Sequence, residues 1–346
     1  MYAELLINIA LGAQNKYFKE HGILSRDKNE DAYIEEQMND FYNDHYHYCY
    51  HESINLHPIN KNKFVIPYHD GYISNIYLHI ALDDIEYEEL MEKIFDKFIN
   101  LRIGGNQLNY MTVFCNIFIA TLNNINIKYY DNYVAIPIMS LTLLHKYFPR
   151  YPVKSNIIEI LLEKIYLDNI FISYDIYKYD VEKPILTFKS LFCTTTGYEP
   201  ITKNKKSLCY NHVNKFLIIN FNHKNTNNYL DIYNYPIINN IKLYFNGFSL
   251  SFNFENGGLI YTSLHGQPIY VISLTHEYKN VKDFKSLFNR DKMSGYGINF
   301  SRIDDIYIKI EYDNYDDIEN DFLYTVYSVG YNISRTIGGM FGFIYS

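Results

Sequence analysis

Four side chains able to bind a metal stand in one line within the stretch DHYHYCYHE: His45, His47, Cys49 and His51. Successive side chains of a strand point to opposite faces, so on a strand these four share one face. Neighbours two residues apart both reach one zinc ion, as imidazole and thiolate ligands. All four do not, because His45 and His51 stand roughly 20 Å apart at ~3.3 Å per residue. A complete site needs ligands from elsewhere, and no CxxC or paired-histidine partner follows downstream. The other reading of the same residues is the polar face of a sheet.

A second polar group precedes an alternating segment in GINFSRIDDIYIKIEYDN, residues 297–314. Asn299, Ser301, Arg302, Asp304 and Asp305 come first. From Ile306 onward Ile308, Ile310 and Tyr312 share one face, and Tyr307, Lys309 and Glu311 the other, the pattern of a half-buried strand. Arg302 and Asp304 are two residues apart and fall on one face at the start of that strand. Arginine forks onto a carboxylate or onto backbone carbonyls, so the pair suits a sheet corner or a subunit edge. No reactive constellation surrounds it.

Other chemistry finds little support. A GxSxG elbow is missing, and Cys115 and Cys193 sit in apolar segments read as strands, where thiols are inert. The adjacent carboxylates Asp83/Asp84, Asp304/Asp305 and Asp316/Asp317 face opposite ways on a strand and suit solvated turns. RTIGGMFGFIYS lacks the Gly-Lys-Ser/Thr ending of a phosphate loop. Its Gly338, Gly339 and Gly342 suggest a terminal strand closely approached by another backbone. Asn299 and Asn332 open formal glycosylation sequons. No catalytic residue and no cofactor is expected.

Composition bounds the rest. The chain has 346 residues, 48% of them hydrophobic, enough for one large domain or two of ordinary size. A net charge of −8 with no long basic run gives no sign of a nucleic-acid surface. Cys49, Cys115, Cys193 and Cys209 form no CxxC pair, which suits reduced thiols in a cytosolic setting. The first residues lack the basic start of a signal peptide, and no apolar run approaches the ~20 residues of a membrane span. The 38 tyrosines and 23 phenylalanines stand beside no tryptophan, a bias that suits an AT-rich genome. Tyrosine and isoleucine also favour strands.

Strand-like segments recur throughout: KFVIPY, YISNIYLHIAL, INLRI, MTVFCNIFIATL, YVAIPIMSL, NIIEILLEKI and NIFISYDIYKY, then KFLIINF, IKLYFNGFSLSFNF, GLIYTSL, PIYVISL, DIYIKIEY and FLYTVYSVGYNI. Gly104-Gly105-Asn106 signals a hairpin. Helix signals are few. The best is DDIEYEELMEKIFDKF, with Ile85, Leu90, Ile94 and Phe98 on one face and Asp83 or Asp84 as N-cap; NVKDFKSLF is weaker. Many short strands with few short helices indicate an all-β sandwich or barrel. At this length two domains are expected, dividing near Lys164.

The NFSRID segment resembles a motif of the major capsid proteins of nucleocytoplasmic large DNA viruses, the iridovirus and phycodnavirus type, at Asn299, Phe300, Ser301, Arg302 and Asp304. The C-terminal YNISRTIGGMFGF is similar to that family's YNxLRxxxGxxGL at Tyr331, Asn332, Arg335, Gly339 and Gly342, with Ser334 in place of leucine. GAQNKYF, LRIGGNQLNYM, NIFISYDIYKYDVEK, LCYNHVNKFLIINF and IKLYFNGFSL resemble further family segments in family order, NIFISYDIYKYDVEK matching the one that begins the second half. The resemblance spans residues 5–346. Departures are Val213 for a proline, Glu182-Lys183 for a Glu-Arg pair, a poorly kept aromatic stretch at IPIMSLTLL, and a shorter chain.

The resemblance implies two tandem eight-stranded jelly rolls, the double jelly-roll capsid fold, at residues 19–164 and 165–346, with an N-terminal arm at 1–18. It implies a structural, non-enzymatic capsid protein of the virion, assembled in the host cytoplasm. Homotrimers would form pseudo-hexagonal capsomers that tile an icosahedral shell and meet neighbouring capsomers, minor capsid or cement proteins and an inner membrane, with no direct contact to nucleic acid. Two alternatives accompany it: a transient scaffold or minor capsid protein of the same fold, and a jelly-roll carbohydrate-binding protein. A glycosidase version of the latter predicts paired acids about 5–9 Å apart.

Overall fold

The computed structural model describes residues 48–60, 62–67, 69, 72–82, 86–122, 125–138, 151–152, 156–165, 167, 169–179, 187–203, 205–211, 213–224, 235–255, 257–274, 297–314, 321–337 and 340–343. The chain forms two compact units, residues 27–192 with 332–346 and residues 193–331 with 1–26.

The first unit holds strands β1 (Tyr48–Leu56), β2 (Lys63–Ile66), β3 (Tyr72–Ala81), β4 (Phe98–Ile103), β5 (Asn106–Thr112), β6 (Lys128–Tyr129), β7 (Tyr133–Pro137), β8 (Tyr151–Pro152), β9 (Ile158–Glu163) and β10 (Ile170–Tyr179). Helices α1 (Tyr87–Ile94) and α2 (Val113–Leu122) interrupt them. One sheet runs β1-β10-β3-β7-β6, with β8 also beside β3, and the other runs β5-β4-β9-β2. Pairing is antiparallel, and register aligns the inward rows: Phe64 faces Ile160 and Leu101 also faces Ile160, while Leu78 faces Ile172 and Ile136. All of these residues are buried.

Strand β11 (Thr187–Pro200) carries the chain into the second unit. There follow β12 (Lys205–Ser207), β13 (Val213–His223), β14 (Ile238–Phe245), β15 (Phe248–Phe252), β16 (Leu259–Leu264), β17 (Gln267–Ser273), β18 (Ile298–Asn299), β19 (Ile306–Tyr312), β20 (Phe322–Ile337) and β21 (Met340–Phe343). One sheet of this unit runs β16-β17-β13-β20-β11, with β18 beside β13; the other runs β12-β19-β14-β15. β20 crosses out of the unit after Tyr331, and β21 turns back on its far end. Between the two sheets lie Leu217, Ile219 and Phe221 of β13, Tyr324 and Val326 of β20, Ile241 and Leu243 of β14, and Ile308 and Ile310 of β19, all in one buried cluster.

Both units obey one rule of strand order. With β1, β2, β3, β4, β5, β7, β9 and β10 counted first to eighth, one sheet is first-eighth-third-sixth and the other second-seventh-fourth-fifth. β11, β12, β13, β14, β15, β17, β19 and β20 repeat that order without change. This is the eight-stranded jelly roll, twice. The two differ in what joins the fifth and sixth strands: helix α2 with β6 in the first, strand β16 in the second.

Three local expectations are corrected. MTVFCNIFIATL is not a strand throughout, because Val113–Leu122 is helical and carries Cys115. Every residue from Val113 to Ala120 is buried, so no polar face marks the period, and a continuous apolar run reads equally as strand or helix. The missed signal is Thr112, whose Oγ1 accepts the Cys115 amide at 3.2 Å as an N-cap does. Helix α1 is shorter than expected. Glu86 stands at its cap position without a side-chain cap bond, and Phe98 opens β4 instead. Asp83, Asp84, Ile85 and all of NVKDFKSLF lie outside the described residues. Finally, the division at residues 164 and 165 differs from the observed one. NIFISYDIYKY forms β10, hydrogen-bonded between β1 and β3, so it closes the first roll and does not begin the second.

The hairpins follow their turn residues. Gly104 and Gly105 have φ of 54° and 82°, Asn246 and Gly247 have 43° and 89°. Two successive positive φ values match the right-handed twist of the flanking strands.

Candidate functional site

The NFSRID segment is a corner between the two sheets of the second roll. β18 pairs with β13, Ile298 opposite Asn214 and Asn299 opposite Val213. Just before it, a Cβ added at Gly297 would lie 2.3 Å from the backbone oxygen of Asn214, so only glycine permits this approach. The Asn299 Oδ1 accepts the Ser301 amide at 3.1 Å and starts a single 3₁₀ turn, Phe300–Arg302. Phe300, 2% exposed, enters the core cluster at 6.2 Å from the Phe245 ring. The chain then crosses over: the Asp305 amide donates to Asn246 Oδ1 and the Asn246 amide to the Asp305 carbonyl, both at 2.9 Å. That exchange clamps the start of β19 to the β14–β15 turn. Asp304 is exposed, and the side chain of Arg302 lies outside the described part.

The remaining expected residues fall in several places. His45 and His47 lie outside the described residues. Cys49 and His51 belong to β1, whose register with β10 shifts between Tyr48 and Tyr50. Among the described residues no group of three or more His, Cys, Asp or Glu is placed to hold a metal ion. Tyr331, Asn332 and Arg335 belong to β20, and Gly342 of β21 pairs with Arg335; Gly339 lies outside the described residues. A Cβ added at Gly342 would meet nothing within 4 Å, so the close backbone approach expected there is absent at this position. Cys193 and Cys115 are buried and Cys209 is exposed.

The electrostatics of each roll centre on groups the motifs do not include. In the first, His79 stacks on Phe171 at 4.4 Å and shares a 2.7 Å hydrogen bond with Ser173. Burial, and then the Lys128 charge, pull its imidazole down to about 4. On the same outward face Asp175 accepts from Ser53 and Asn75, both at 2.6 Å. In the second roll Lys206 Nζ donates to the Gly197 carbonyl at 2.8 Å, which also accepts from Thr325 Oγ1 at 2.6 Å. Burial brings Lys206 down to about 8, opposed by the Glu199 carboxylate and helped by Lys203.

The outward face of β12-β19-β14 forms a cross-strand grid. Lys309 stands opposite Lys205 on one side and Lys242 on the other, and Tyr307 stands opposite Tyr244. The tyrosine rings stack at 4.4 Å, and Lys205 Nζ lies 3.6 Å from the Tyr307 ring centre. Glu311 Oε1 accepts from Lys242 at 2.8 Å and meets Lys309 at 3.5 Å, and its carboxyl is held below the usual range by Lys242 first and Asn240 second. Alternation identified the polar side of β19; the rows appear only when β14 and β12 are laid beside it.

No protein-family model matches the sequence. No curated protein is significantly similar to it either. Solved structures are similar in fold. VP54 of PBCV-1, fitted into a reconstruction of the virophage Sputnik, aligns over 86% of this chain and 97% of its own at TM-score 0.55 and 15% identity. The PBCV-1 virus capsid gives the same coverage and identity at TM-score 0.56. The Faustovirus major capsid protein aligns over 82% of this chain and 90% of its own at TM-score 0.55 and 7% identity. The strand order and these alignments together give this chain the double jelly-roll fold found in those viral capsid structures.

Proposed function

We propose that this protein is a major capsid protein, a structural subunit of an icosahedral viral shell. Trimers of the chain, with six rolls in a pseudo-hexagon, form the capsomers, and its partners are copies of itself, neighbouring capsomers and minor capsid or cement proteins. It resides in the virion after assembly in the host cytoplasm. The observation that carries this reading is the unbroken repetition of one jelly-roll order in two rolls, alignable over 97% of the VP54 chain. Arg302 and Asp304 of the NFSRID corner fasten a neighbouring loop by charge-assisted hydrogen bonds. Residues 1–18, outside the described part, act as an arm toward a neighbour or an inner membrane.

Sedimentation of the purified protein followed by electron microscopy tests the proposal. The expected result is a trimer that packs into hexagonal arrays; a stable monomer with no arrays overturns it. Normal assembly of a chain lacking residues 1–18 would remove the role given to the arm. Abundance in mature particles separates the main capsomer from a transient scaffold.

A further inference from the structure

We propose that the outward face of β12-β19-β14 is a contact surface for the acidic surface of a second copy of this chain, an inference that rests on the capsid reading above. The face carries Lys205, Lys309 and Lys242 in one row across three strands, with Glu311 as the acid among them. Adjacent strands lie ~4.8 Å apart, so the row spans roughly 10 Å. Three lysines against one glutamate leave a local excess of positive charge on a chain whose net charge is −8. Lys309 and Lys242 keep 39% and 35% of their side-chain surface exposed, and Lys205 is exposed as well.

Two arguments select the occupant. Copies of a chain with a net charge of −8 attract where a positive patch of one meets carboxylates of the next, so charge complementarity favours a second copy and fixes its orientation. The aromatic rings argue against single-stranded nucleic acid, which binds sheet faces by stacking bases on open rings. Here one face of Tyr307 is taken by Lys205 and the other by Tyr244, which leaves the stack closed at that position. The rings instead hold the lysine row upright, since Lys205 rests on Tyr307 and Glu311 links Lys242 with Lys309. A preorganised row costs less ordering entropy on contact than three free lysines.

The test compares the full chain with the variants K205E/K242E/K309E and K205Q/K242Q/K309Q. Both replace side chains at the surface, and circular dichroism with the urea midpoint checks that they fold. Array formation is followed by light scattering and electron microscopy at low and high salt. The expected result is assembly of the parent chain that weakens as salt screens the contact. The Gln variant should need about tenfold more protein to assemble and lose most of that salt dependence, and the Glu variant should not assemble. Folded Gln and Glu variants that assemble like the parent overturn the inference and leave the capsid reading standing. A parent chain that never assembles overturns both. Binding of a fluorescent oligothymidylate that depends on these lysines, with assembly unchanged, assigns the face to nucleic acid and overturns the second copy as occupant.

Discussion

The sheet β1-β10-β3-β7 of the first roll and the sheet β11-β20-β13-β17 of the second share one strand order but bury their faces differently. In β10, Ile170, Ile172, Tyr174 and Ile176 are buried while Phe171, Ser173 and Asp175 are half-exposed. In β13 every residue from Val213 to Asn222 is buried, and so is all of β17. The inward row therefore suffices to hold the order, because it is the only row the two sheets have in common. The outward row is free to vary. It is polar and aromatic in the first roll, with His79, Ser173 and Asp175, and apolar over much of the second, with Phe216, Ile218, Val271 and Tyr327. One face sets topology, and the other sets how each roll answers to its surroundings.

The contrast is sharpest at the corner that the second roll has and the first, among the described residues, lacks. Phe300→Ala should cost about 3–5 kcal/mol, read from the urea unfolding midpoint. A loss near zero would mean that the corner is not part of the core. Next comes a matched pair. Ile218→Ala, on the outward row of the second roll, should cost about 2–5 kcal/mol. Ile54→Ala, half-buried on the edge strand of the first, should cost about 1 kcal/mol or less. Equal losses would break the comparison.

Acid should then act on the first roll through His79. Its folded value of about 4 lies below the ordinary 6.5. Between those values the unfolded chain takes up a proton that the folded chain refuses, so stability falls as pH drops through that window and levels off beneath it. The contribution is on the order of 2–3 kcal/mol. Unfolding midpoints measured against pH should fall less steeply for His79→Gln than for the parent chain; parallel curves would remove the histidine from this role. A small effect also belongs to the linker that distinguishes the rolls. Thr112→Ala should cost about 1 kcal/mol by uncapping α2, visible as a small shift in thermal midpoint.

Legibility in the sequence followed the same division. Strands with one wet face, such as β9 and β19, announce themselves by alternation, and the hairpins at Gly104-Gly105 and Asn246-Gly247 by their turn residues. Elements buried all round do not. The apolar run of α2 carries no period, and its only mark is one threonine. β11 is legible only around Cys193, because the run Thr194, Thr195 and Thr196 that follows shows no alternation. β10 resembles a segment that begins a second half, and its partner β1 lies more than a hundred residues earlier in a polar stretch, so only the register shows that it closes the first roll. At the corner, the motif identified Asn299 and Phe300 but not their directions, which depend on Asn214 and Asn246 far away in the chain. The lysine row is invisible for the same reason: each strand supplies one of its members, and only register assembles them.

Asn299 opens a sequon, yet it is 2% exposed and its side-chain oxygen is held by the next turn. An oligosaccharyl donor could not reach that amide once the second roll has closed. A sugar found there would be a record of timing, marking a chain that met the modifying enzyme before it finished folding, and its absence in a glycosylating host would date closure of the corner ahead of that encounter.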